Sequence, residues 1–202
     1  MKYFFLFFTL LFIQANLFAM QEETAYSEIN AFQNKLNQEF LNKETSILLP
    51  EDFESFEGLE FYPIDLNYRV IASFLRTPGE KPFLMPTTTE RRPEYVKYAE
   101  LHFDIDNQNF VLEVFQNTKP KEGYENYLFL PFTDLTSGDG SYGGGRYIDV
   151  FEPEGDKITL DFNLSYNPYC VYNSKYSCPI PPEQNDLKIR VEAGIKDFKK
   201  RD

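Results

Sequence analysis

The sequence predicts a mainly β protein: an antiparallel β-sandwich or partly closed barrel with one N-terminal helix. Three observations lead there. From Leu48 onward, Pro50, Gly58, Pro63, Pro78, Gly79, Pro82, Pro86 and Pro93 punctuate short runs rich in Phe, Tyr, Ile and Val, the texture of strands separated by turns. Ile158, Leu160, Phe162 and Leu164 alternate with Thr159, Asp161, Asn163 and Ser165, the period-two pattern of a strand with one face in a core. Helical spacing is clear over residues 26–43, where Ile29, Phe32, Leu36, Phe40 and Leu41 share a face and Ser27 is placed to cap. A hydrophobic share of 42% over 202 residues is enough for one packed domain with appendages.

In chain order, residues 1–19 read as a secretory signal peptide. Lys2 gives a positive start, Phe4 to Ile13 is apolar apart from Thr9, and Leu17-Phe18-Ala19 ends on a small residue. A membrane anchor is the weaker reading, because the run is short and Gln14 and Asn16 interrupt it. The expected place of action is a periplasm or the cell exterior. Residues 20–47 form the helical segment and 48–202 the β domain. Strands are expected near 59–63, 68–76, 83–88, 95–105, 109–116, 127–132, 146–151, 158–164 and 187–194. Asp106-Asn107 and Glu154-Gly155-Asp156 read as hairpin turns, the second pairing strand 146–151 with strand 158–164. The basic residues from Lys196 to Asp202 are expected to fray.

Composition narrows the function. A net charge of -12 offers no basic footprint for nucleic acid or anionic membranes. One histidine and two cysteines exclude a multi-histidine or four-thiolate metal site, and neither a metal nor a cofactor is expected. Asp104-x-Asp106 lacks the glycine and bidentate glutamate of a calcium loop. His102 sits inside a strand run with no nucleophile-elbow sequence. Gly138-Asp139-Gly140-Ser141-Tyr142-Gly143 matches the spacing of a dinucleotide loop, but it runs into Gly144-Gly145 and a strand, not a helix.

That glycine-rich stretch is still the densest in the chain. Successive glycines present backbone amides, and Asp134, Ser137, Tyr142 and Arg146 flank them. Such a loop holds the carboxylate or phosphate of a small ligand, or else satisfies only its own backbone. With the apolar faces of strands 146–151 and 158–164 aligned, Tyr147, Asp149, Asp161 and Asn163 share the other face. That face is a pocket floor or a solvated sheet surface. Tyr166 and Asn167 continue it into a turn. Cys170 and Cys178, seven residues apart, suit a disulfide in an exported protein, or two buried thiols that pack. The leading functional reading is a β domain that binds a small polar or anionic ligand. Paired carboxylates among Asp134, Asp149 and Asp161 acting as a hydrolase are the alternative, and a structural module without a ligand is the third.

Several motifs together resemble a known family. These are Phe132-x-Asp134, Thr136-x-Gly138, Tyr142-Gly143-x-Gly145-Arg146-Tyr147, Asp161-Phe162-Asn163, Tyr166-Asn167-Pro168-x-Cys170, Cys178-Pro179 to Asn185, and Ala193-Gly194-x-Lys196. The set resembles the bacterial and archaeal family called domain of unknown function 1684. Gly58-Leu59 and Tyr62-Pro63-Ile64-Asp65 to Tyr68-Arg69-Val70 resemble its version in exported proteins of Bacteroidetes-like bacteria. Gly194-Ile195-Lys196 departs from the pattern, which more often places an acid before the lysine. The resemblance implies no activity, cofactor or catalytic residue.

Overall fold

The computed structural model of the chain describes residues 2–198, with side chains from Ala19 on. The chain opens with helix α1 (Lys2–Leu41). The leader expected over residues 1–19 concerns Met1 and side chains that lie outside the described set, as do residues 199–202. Ser27 does not cap, because α1 runs straight through it; nothing upstream is a proline or glycine that would break the helix. No helix among the described residues is long and apolar enough to cross a membrane.

The buried face of α1 carries Ala25, Ile29 and Phe40, with Phe32 and Leu36 half-buried, while Leu41 stays exposed. Polar groups fix its position. Asn37 Oδ1 accepts the Leu59 N–H at 2.7 Å, and Glu28 pairs with Arg69 at 2.7 Å. A short helix α2 (Pro50–Glu54) follows, with Pro50 in the first turn where its missing N–H costs nothing.

Among the described residues, seven strands make one antiparallel sheet: β1 (Arg69–Arg76), β2 (Phe83–Leu84), β3 (Glu94–Ile105), β4 (Gln108–Asn117), β5 (Tyr127–Phe132), β6 (Arg146–Phe151) and β7 (Lys157–Asp161). Their order is β6-β5-β4-β3-β1-β7, with β2 added beside β3. Asp106 and Asn107 turn β3 into β4 at φ of 51° and 60°, the left-handed pair that a tight hairpin requires.

The expected hairpin of β6 with β7 does not form. β6 pairs with β5, from Tyr127↔Phe151 to Phe132↔Arg146, and β7 pairs with β1, from Arg69↔Asp161 to Ser73↔Lys157. They are opposite edges of one sheet, joined by residues 152–156. An extended chain advances about 3.5 Å per residue, so that link obliges the sheet to curl into a half-barrel. Contacts across the gap follow: Arg76 Nε lies 3.6 Å from Glu152, and Phe74 N–H donates to Asp156 O at 2.8 Å. Both apolar faces therefore do meet, but across the barrel interior. Ala72, Phe74, Leu101, Leu112, Leu130, Ile148, Val150, Leu160 and Phe162 form one core.

The remaining differences have local causes. β7 stops at Asp161 because that carboxylate accepts the Asn163 N–H at 2.9 Å and starts a 3₁₀ turn, Phe162–Leu164. Among the described residues no strand forms over 59–63 or 187–194, where Gly194 bends the chain at φ 75° and Phe61 makes a single bridge to Ile195. Lys196 and Asp197 do not fray, since their N–H groups donate to Glu60 O and Gly140 O.

Candidate functional site

The glycine-rich loop turns inward. Arg146, at the head of β6, is fully buried. Its Nη1 donates to the carbonyls of Ala193 and Ile195. Its Nη2 donates to Val191 O at 2.9 Å and Asp134 Oδ1 at 3.1 Å. Asp134 also accepts from Thr136 N–H, Thr136 Oγ1 and Val191 N–H. Burial pulls the Arg146 pKa down and the Asp134 charge pulls it back. Ser137 Oγ accepts the Asp134 N–H at 3.1 Å, and Gly138 N–H donates to Ser141 O. The Tyr142 ring covers Gly144, where a Cβ would sit 2.5 Å from it. Asp134, Ser137 and Arg146 thus belong to a buried network that straps residues 191–195 to the barrel, in which Arg146 Nε is left without a partner among the described residues. Arg146 is not available to a ligand, which corrects the expectation that it would grip one.

A second group lies under α1. Asp161 is buried and pairs with Arg69 at 2.7 Å. Asn163 donates to Asp65 O and to Asp161 Oδ1, and its own Oδ1 accepts the Asp65 N–H. Asn167 donates to Lys196 O at 2.9 Å beside Tyr172. These three do not share a face with Tyr147 and Asp149, because β6 and β7 are not neighbours. Nor do Asp134, Asp149 and Asp161 converge: the first is consumed by Arg146 and the third by Arg69.

Cys170 and Cys178 stand as separate thiols, not as the expected bond. The Cys178 sulfur accepts the Cys170 N–H at 3.0 Å, so it is held by the backbone of its partner. The Cys178 thiol hydrogen-bonds the Cys170 sulfur, which holds the Cys170 pKa down at about 7.

Tyr147, Asp149 and Tyr166 face a different place. β5 and β6 alternate, so Leu128, Leu130, Ile148 and Val150 enter the core while Tyr127, Phe129, Tyr147 and Asp149 point to the outer face. There they line a cleft of about 770 Å³, closed by Phe32 and Leu36 of α1, by Tyr95 and Tyr124, and by Tyr166, Tyr169 and the residues Tyr176 to Pro179. Volume of this size suits a small molecule. Asp149 is exposed on its floor. Tyr127 OH and Tyr166 OH both donate to its Oδ1, at 2.8 Å and 2.6 Å. Among the described residues none bonds Oδ2. Burial, and then the charges around them, raise both phenol pKa values, so both remain donors throughout the neutral range. Tyr147 OH donates to Pro179 O and fixes the wall. Asp149 is therefore an oriented carboxylate with one oxygen left for solvent or ligand, framed by aromatic faces.

Most of this cleft was not singled out in the sequence. Tyr127 and Phe129 alternate with Leu128 and Leu130, which marks an aromatic second face, but only folding brings Tyr95, Phe32 and Tyr169 beside them. A smaller cavity of about 240 Å³, lined by Phe56, Asn167 and Tyr172, lies elsewhere. Among the described residues, no group of three or more His, Cys, Asp or Glu is placed to hold a metal.

Comparison with known proteins supports the fold. The profile of the family described as "Protein of unknown function (DUF1684)" matches residues 54–196. A solution NMR structure of an uncharacterized protein from Haloarcula marismortui superposes with a TM-score of 0.69 at 34% identity, over 87% of this chain and 96% of that one. No curated protein matches the chain.

Proposed function

The chain belongs to the DUF1684 family of proteins of unknown function, and from that premise we propose that it binds a small molecule in the tyrosine-lined cleft around Asp149. One observation carries this reading: a carboxylate oriented by two phenols at 2.8 Å and 2.6 Å, its second oxygen unbonded among the described residues, lies open in a concave aromatic surface. Such a carboxylate accepts hydrogen bonds from hydroxyl or ammonium groups, and tyrosine faces cover the apolar side of a ring. The residues 1–19 support action outside the cytoplasm, which cell fractionation checks. A hydrolase built on paired carboxylates finds little support, since Asp149 is the one acid of the expected three that lines the cleft.

Thermal-shift screening of the protein against sugars and small metabolites tests the reading, because a ligand that binds only the folded state raises the unfolding midpoint. Asp149→Asn and Tyr124→Ala should each lose most of the shift given by any hit. A full-strength shift in both variants would place the ligand elsewhere and end this reading.

A further inference from the structure

The cleft inverts the charge of the molecule around it. The chain as a whole carries 32 acidic and 20 basic residues, yet the charged residues lining the cleft are Lys35, Arg91, Lys119 and Lys121 against Glu39 and Asp149. Lys35 lies 4.0 Å from Glu39, so that pair largely cancels. Arg91 is held in place by neutral groups. Its Nε donates to Ser177 Oγ at 3.1 Å and its Nη2 to Ser177 O at 2.8 Å. Among the described residues, no acid lies within 4.0 Å of Arg91, Lys119 or Lys121. Elsewhere Arg69, Arg76, Lys97, Arg146 and Arg190 each take a carboxylate, and exposed cations such as Lys43, Lys81 and Lys157 do not among the described residues, so what marks the cleft is that three unpaired cations line one concave surface. In an acid-rich chain, unpaired cations grouped at the mouth of a concave site draw anions toward it.

We propose that the ligand of this cleft is an acidic sugar of the uronic acid class. Three chemistries must coincide in one molecule. Asp149 Oδ2 calls for a hydroxyl donor, the tyrosine faces for the apolar face of a ring, and Arg91 with Lys119 and Lys121 for a carboxylate. The Arg91 guanidinium, already oriented by Ser177, suits a planar carboxylate. A purely cationic ligand satisfies Asp149 but is repelled at the rim. A neutral sugar leaves the three cations unused. This inference rests on the cleft reading and adds the sign of the ligand.

Calorimetric titration of the protein with trigalacturonate and with a neutral glucose trisaccharide, at low and at high salt, tests it. The acidic trimer is expected to bind about tenfold more tightly at low salt, with the gap shrinking several-fold when salt screens the rim. Arg91→Gln and the pair Lys119→Glu with Lys121→Glu should erase the preference while leaving the thermal midpoint of the free protein nearly unchanged, since these side chains are exposed. Equal affinity for both sugars, or a preference untouched by those substitutions, overturns the acidic-sugar inference and leaves the cleft reading standing. Binding of neither sugar while choline or another small molecule binds, with that binding lost in Asp149→Asn, overturns the sugar class alone. Failure of every probe to bind in an Asp149-dependent way overturns both.

Discussion

Two carboxylates on one stretch of chain meet opposite fates. Asp134, just after β5, receives four donors: Thr136 N–H, Thr136 Oγ1, Val191 N–H and Arg146 Nη2. Asp149, three residues after that same arginine, receives two phenols on a single oxygen. The first has no exposed surface on its side chain and the second lies open on a cleft floor. The difference is completeness. A buried carboxylate that has taken four donors holds structure together. A half-satisfied, solvent-facing carboxylate between aromatic rings holds something else.

The comparison breaks first at Arg146. Replacing it by Ala should cost about 3–5 kcal/mol, because Asp134 would be left as an uncompensated buried charge; urea unfolding measures it. A loss under about 1 kcal/mol would mean that water enters the network.

Gly194→Ala attacks the same strap through the backbone. Gly194 sits at φ +75°, and a Cβ there would lie 2.5 Å from Phe162 O and 2.0 Å from Ser165 Oγ. The expected loss is about 1–3 kcal/mol from the left-handed backbone, more with the clash. Unchanged stability would show that residues 191–195 can shift and still satisfy Arg146.

On the open side, Asp149→Asn should cost only about 0.5–1.5 kcal/mol, since an amide oxygen can still accept both phenols. A loss as large as that of Arg146→Ala would make Asp149 a structural residue like Asp134.

The thiol pair at the cleft wall offers a chemical readout, with Cys178 lining the cleft and Cys170 beside it. Cys170 should react with iodoacetamide at half its maximal rate near pH about 7, because the Cys178 thiol stabilises its thiolate. Cys178→Ala should move that midpoint up toward the ordinary thiol value of about 8.5. An unmoved midpoint would trace the effect to Thr88 and the backbone instead.

The smallest effect belongs to Glu100, far from both sites. His102 and Lys97 hydrogen-bond it and hold its pKa below the ordinary carboxylate range. Its contribution is therefore present above about pH 4.3, the unfolded value, and fades as pH falls through the folded one. Glu100→Gln should lower stability slightly at about pH 6 and by progressively less as the pH falls below the unfolded value; losses equal at every pH would rule out the charge as the cause.

How much of this was legible beforehand depended on range. The bounds of β5 and β6 and the Asp106-Asn107 hairpin rest on alternation and turn chemistry within a few residues, and the sequence displays both. The pairing of β6 with β5 does not. Ile148 and Val150 meet Leu160 in the core whether their strands are neighbours or opposite edges, so hydrophobic pattern alone cannot choose. Arg146 read as ligand-binding because its partners, the carbonyls of Val191, Ala193 and Ile195, lie some forty-five residues away and carry no side-chain signature. The cleft was visible in part: Tyr147, Asp149 and Tyr166 were in view, while Tyr127, Phe129 and the α1 residues needed the fold to gather them.

The strap across Arg146 also sets an order of events during synthesis. Until Val191, Ala193 and Ile195 leave the ribosome, the guanidinium at the head of β6 has no carbonyls to meet. The last of those acceptors is Ile195, seven residues from the end of the chain. Only a chain complete to residue 195 can offer the buried Arg146 guanidinium all three of its carbonyl acceptors.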